Sequence, residues 1–143
     1  SSRGLSLSTG ILDYSDKNKK SGFLEATYSF NDTQVYETIL GKLTPITGAM
    51  ITQDNATMIY AGVKTSYNLG NFFISPSFAP GYYDKGDGKD LGHNLEFKSQ
   101  INLGWNFGDK SNFGLSYSHI SNASLGDKNP GANNVAFTFF TQY

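Results

Sequence analysis

Apolar and polar residues alternate with a period of two along almost the entire chain, a rhythm that suits extended strands and not helices, whose period is 3.6. Leu95, Phe97, Ile101, Leu103, Trp105 and Phe107 share one parity, while Glu96, Lys98, Gln100, Asn102 and Asn106 share the other. Successive side chains of a strand point to opposite faces, so one face of this segment is oily and the other polar. Eight such segments can be read, at about residues 4–14, 20–30, 35–51, 56–68, 71–83, 92–107, 111–122 and 133–143, punctuated by clusters of Gly, Asn and Asp. Eleven Phe, nine Tyr and sixteen Gly among 143 residues fit many short strands with tight turns. That length suits one domain rather than two.

The connections differ systematically. Asn31-Asp32-Thr33, Asn68-Leu69-Gly70 and Gly108-Asp109-Lys110-Ser111 read as tight turns, whereas the first, third, fifth and seventh segments lead into longer polar stretches, most clearly at 84–93 and 123–132. An even number of strands with short turns at one end and long loops at the other is the pattern of outer-membrane barrels. The expected fold is therefore all-β, an eight-stranded antiparallel transmembrane β-barrel of the outer membrane, with both termini at the short-turn, periplasmic end. A soluble lipid-carrying barrel would turn the same alternation inside out, and periodicity alone does not separate the two. Ionisable residues on the polar parity (Glu25, Lys64, Glu96 and Lys98) favour a polar interior. So do two bands of aromatics, Phe72, Trp105, Phe107 and Tyr143 near the short-turn end, and Tyr14, Tyr82 and Tyr83 near the other. Pro76 and Pro80 weaken the fifth strand, since proline donates no hydrogen bond, and the segment at 35–51, with Glu37, Lys42 and Pro45, departs most from the alternation.

Composition excludes other classes. Mean hydropathy is −0.38, and no run approaches the roughly 18 apolar residues that a membrane helix needs. A net charge of −1 gives no basic field for nucleic acid. Without cysteine there is neither a disulfide framework nor a thiolate metal site. Ser1-Ser2-Arg3-Gly4 opens directly into strand-like alternation, as a processed mature chain would.

Chemistry concentrates on the last two segments. Phe113, Leu115, Tyr117, His119 and Ser121 share one parity, and Asn133, Val135, Phe137, Phe139, Thr141 and Tyr143 form the matching row of the final strand. His119, Ser121 and Asn133 thus continue the lipid-facing stripe at the long-loop rim, where polar groups cost free energy unless satisfied. Residues i and i+2 on a strand are roughly 6.5–7 Å apart, so an imidazole can lean toward a serine two positions on. A serine hydroxyl needs such a base to become a nucleophile, and the base needs a third group to orient it. A bare His-x-Ser is also compatible with an ordinary strand end.

The wider segment, His119-Ile120-Ser121-Asn122-Ala123 followed by a polar loop and Asn133 twelve residues after the serine, resembles the lipid A 3-O-deacylase family. The motif match spans residues 113–143, and elsewhere the likeness rests on strand count and length. The resemblance implies a serine esterase of the outer membrane, facing the cell exterior, that removes the 3-O-linked hydroxyacyl chain of lipid A in lipopolysaccharide. His119 and Ser121 take the base and nucleophile positions, and the family's third member, a glutamate at the start of the final strand, falls on Asn133. An amide orients imidazole but does not balance its positive charge, which implies reduced activity or a catalytically silent barrel with a structural or adhesion role. Asn134, of opposite parity, is a weaker candidate for that position. Oxyanion donors are expected from Asn122, Asn129 or backbone N–H groups at Ala123-Ser124. The chemistry requires no cofactor and no metal. Oligomeric state is open, a homodimer included.

The remaining motifs read as surface. Residues 84–90 look like a calcium loop but lack the glutamate at its twelfth position and the flanking helices. His93 stands alone in a connection, and Lys17, Lys19 and Lys20 read as an ordinary exposed loop in preference to a set of charges for lipid phosphates.

Overall fold

The computed structural model describes residues 3–14, 20–30, 36–39, 41–108 and 110–142; the turn expected at 31–33 and Lys17, Lys19, Asp109 and Tyr143 lie outside them. The strands are β1 (Gly4–Leu12), β2 (Ser21–Ser29), β3 (Tyr36–Thr38), β4 (Gly41–Thr52), β5 (Thr57–Lys64), β6 (Tyr67–Leu69), β7 (Phe72–Asp84), β8 (Leu95–Phe107), β9 (Ser111–Ser121) and β10 (Ala132–Gln142). Two of them are fragments. β5 and β6 lie along β7 in one register, from Thr57↔Asp84 to Leu69↔Phe72, and make one barrel strand. β3 takes the place beside β4 that β2 leaves after Ser29. Eight barrel strands result, each antiparallel to its neighbours. The sheet closes because β1 pairs with β10, from Gly4↔Gln142 to Ile11↔Val135, and β2 pairs with β4.

Two local irregularities have physical causes. Pro76 has no N–H for the strand beside it; the Thr65 N–H still donates to the Pro76 carbonyl at 3.1 Å, and the Ser75 hydroxyl donates to the Thr65 carbonyl at 2.7 Å in proline's place. The ladder is interrupted there yet remains hydrogen-bonded. The segment read at 35–51 is not one strand, because Thr38 pairs with Gly41 and the chain reverses at its fully exposed Ile39. Gly41 sits at φ +104°, where a side chain would be strained. The turn is inconspicuous in the sequence, because Ile39, Leu40 and a single Gly41 stand where other connections carry clusters of Gly, Asn and Asp.

The faces follow parity. Leu24, Ile59, Leu69, Trp105, Phe113, Leu115 and Phe137 point outward and are exposed, whereas Ser8, Glu25, Lys98, Ser116, Ser118 and Thr138 point inward and are buried. Apolar outside and polar inside is the membrane arrangement, and among the described residues no helix is long and apolar enough to cross a membrane. Within the barrel Lys98 is ion-paired and hydrogen-bonded to Glu25, which also accepts the Tyr60 hydroxyl at 2.5 Å, and Tyr60 meets Thr27 at 2.6 Å. Toward the long loops an apolar plug of Leu12, Phe23, Met58, Tyr83, Leu91 and Ile120 fills the lumen. Tyr83 therefore leaves the expected outer aromatic band; it is 2% exposed, with its hydroxyl on the Lys89 carbonyl at 2.8 Å. Tyr82 stays outside. Around the short-turn end Phe72, Trp105, Phe113, Phe107 and Phe139 form a chain of ring contacts 5.7–6.4 Å between centroids. Leu115→Arg, in the middle of the outer face, should cost about 2–4 kcal/mol in lipid bilayers, measured by denaturant unfolding.

Candidate active site

The pairing of the last two strands builds the site. In the β9–β10 register His119 lies directly opposite Asn133, and its Nδ1 is 2.7 Å from the Asn133 Oδ1. An amide oxygen only accepts, so Nδ1 carries the proton and Nε2 is left with a lone pair. The Tyr117 hydroxyl also points at that oxygen, at 3.4 Å, consistent with the oxygen rather than the NH2 facing both donors. The Asn133 carbonyl accepts from the Tyr14 N–H at 2.9 Å, which ties β10 to the end of β1. Tyr14 and Tyr117 meet edge to face at 6.3 Å, and the hydrogen bond to Tyr117 raises the Tyr14 phenol above its usual pKa. Ser121, half-buried, follows on the same face opposite Phe97 of β8. Among the described residues His119 and Ser121 are not hydrogen-bonded to each other; such contacts often tighten only around substrate.

The loop after Ser121 is firmly braced. Asn122 is fully buried; its amide donates to the Leu91 and Lys128 carbonyls at 3.0 and 2.7 Å, and its Oδ1 accepts the Ser124 N–H at 2.9 Å. Its own backbone N–H goes to the Asn129 Oδ1 at 2.9 Å. The expectation that Asn122 supplies an oxyanion donor gives way here, because its side-chain hydrogens are already spent on loop carbonyls. Ala123 and Ser124 adopt positive φ, 52° and 65°, uncommon for residues with side chains. Across the gap Asp90 accepts the Gly92 N–H at 2.8 Å and pairs with Lys128 at 3.2 Å; both contacts, the first foremost, hold its carboxyl below the usual value. That contribution is present above the ordinary aspartate range and is lost as pH falls through the lowered pKa.

The sequence model of the lipid A 3-O-deacylase (PagL) family matches residues 15–142. The chain belongs to the PagL family. Of solved structures, the crystal structure of the outer membrane enzyme PagL superposes with a TM-score of 0.75 at 18% identity, covering 96% of this chain and 98% of that one. A structure from the de novo design of transmembrane β-barrels superposes at 0.65 with 8% identity, over 99% and 95% of the two chains. At such identities the superpositions speak for the barrel fold. No curated protein matches. A PagL-family barrel is a protein of the bacterial outer membrane, and the apolar outer face seen here is the surface such a protein presents to lipid.

Within this PagL-family chain, Asn133 occupies the position where the sequence resemblance implies glutamate, so the group facing the imidazole is neutral. Asn134, its neighbour, is buried inside the barrel, donating to the Ser118 hydroxyl at 3.1 Å and accepting the Asp13 N–H at 2.9 Å. It does not face His119. His93 accepts the Leu95 N–H at 2.9 Å as part of its own turn. Among the described residues no group of three or more His, Asp or Glu converges as metal ligands do. One residue escaped the sequence reading: Gly131, at φ +66°, is so close to the imidazole that a Cβ there would lie 2.9 Å from its Cε1. The signal was present in Asn129-Pro130-Gly131, which reads as turn chemistry and hides a contact. Gly131→Ala is expected to displace the ring while the barrel still folds, seen as altered His119 side-chain NMR resonances with unchanged circular dichroism.

Proposed function

We propose that this chain is a lipid A 3-O-deacylase with Ser121 as nucleophile, His119 as general base and Asn133 as the orienting group. The observation that carries the reading is the Nδ1 to Asn133 contact at 2.7 Å on the outer face, which leaves the Nε2 lone pair available to take a proton on the strand face that also carries Ser121. Ser121 Oγ attacks the carbonyl of the 3-O-linked hydroxyacyl chain while Nε2 takes its proton. The tetrahedral intermediate collapses as that proton passes to the departing sugar oxygen, and water, deprotonated by the same imidazole, releases the fatty acid from Ser121. Charge on the intermediate needs donors. The Ala123 N–H, which makes no hydrogen bond among the described residues, and the Asn129 amide are the candidates, and the positive φ of Ala123 and Ser124 is the kind of backbone strain that accompanies such sites. The rim sits at the long-loop end, which in this reading faces the cell exterior, where the substrate lipopolysaccharide lies.

Refolded protein should release one 3-hydroxyacyl chain from lipid A, read by mass spectrometry, and Ser121→Ala should release none. A Ser121→Ala protein as active as the parent would sink the mechanism. Asn133 sustains a second reading, a catalytically silent barrel, because an amide leaves the imidazolium charge unbalanced. Exchanging an orienting carboxylate for an amide lowers turnover by roughly 10⁴ in a serine protease, so Asn133→Glu should raise the rate by at least about tenfold. If neither the parent nor Asn133→Glu hydrolyses lipid A, the silent barrel is the answer.

A further inference from the structure

Opposite the catalytic rim, the barrel is hollow at its short-turn end. A cavity of about 230 Å³ opens there, far more than the roughly 10–15 Å³ a single water requires. We propose that it is a binding site for a small oxyanion, of the phosphate or carboxylate class, held by Lys64.

Two ammonium groups project into the described interior, and they are differently placed. Lys98 is matched by Glu25. Lys64 makes no ion pair or hydrogen bond among the described residues; its Nζ lies 4.2 Å over the Phe140 ring, which meets the cation on one side and leaves its N–H donors directed elsewhere. Among the described residues no carboxylate lines the cavity. Beside apolar groups such as Phe73 and Phe140, its walls carry hydroxyls and amides, among them Ser6, Ser29, Thr44, Asn68 and Asn102, so donors for an anion's oxygens lie around the Lys64 ammonium. A cation enclosed in a barrel without a counter-charge is costly, and an anion from solution supplies what the chain does not. The lumen beyond narrows to a pocket of about 30 Å³ near Lys98 and then meets the apolar plug. The site is a blind vestibule, suited to binding rather than conduction. It stands independently of hydrolysis at Ser121.

The test is amide NMR of isotope-labelled, detergent-refolded protein titrated with inorganic phosphate, and separately with acetate, at fixed ionic strength. Saturable shifts at Asn68, Asn102 and Gln142 with either probe support the site, and the tighter of the two identifies the class. Lys64→Gln should weaken binding about tenfold or more, and Lys64→Arg should retain it. Should Lys64→Gln fail to fold, Asn102→Leu, which removes a lining amide and keeps the charge, should weaken binding several-fold. Shifts that grow linearly with concentration, lie elsewhere, or persist unchanged in Lys64→Gln or Asn102→Leu overturn the proposal.

Discussion

Hydrocarbon offers backbone groups no hydrogen-bond partners, so a strand can cross it only if both its edges are paired. The rest of this structure depends on that constraint. β1 meets β10 over eight residue pairs, Gly4↔Gln142 through Ile11↔Val135, and the cylinder has no free edge. Closure then fixes the environment of every side chain at once. One parity faces lipid and the other a narrow lumen, and the inward charges Lys98 and Glu25 sit within reach of one another across β8 and β2. Even Pro76 in β7 is absorbed, because Ser75 restores the donor that it lacks.

In the proposed reading, a catalytic group on the outside of such a cylinder sits where a lipid substrate already is. Antiparallel pairing of β9 and β10 puts His119 beside Asn133 without any loop having to close, and alternation along β9 places Ser121 on the same face. Precision then comes from rigid strands rather than from mobile segments. The loops contribute from behind: Asn122 anchors both long connections through the Leu91 and Lys128 carbonyls and keeps the chain after Ser121 in its left-handed turn. The outer half of the lumen is packed with apolar side chains beneath these loops, while the inner half is polar and partly empty. The two ends of the barrel thus have different chemistry.

The strand count and the lipid-facing parity of β8, β9 and β10 were legible because a period of two is a local property, visible without knowing which strand neighbours which. His119, Ser121 and Asn133 were legible for the same reason, as polar residues on an oily stripe. The turn at Ile39 was not, since Ile39 and Leu40 carry none of the Gly, Asn and Asp clusters that mark other connections, and only pairing reveals the reversal. Tyr83 and Asn122 were misplaced for a related reason: a side chain at a strand end belongs to whatever the loops fold over it, and here they cover both.

By itself the sequence determined the class of fold, the faces of its strands and the residue types able to do acyl chemistry, because side-chain alternation and residue chemistry travel with the chain. Tertiary structure alone decided that Asn122 braces loops, that Gly131 makes room for His119, and that Lys64 faces a cavity with no counter-charge among the described residues. Each of these depends on register and on contacts between residues far apart in sequence, which exist only once the barrel has closed.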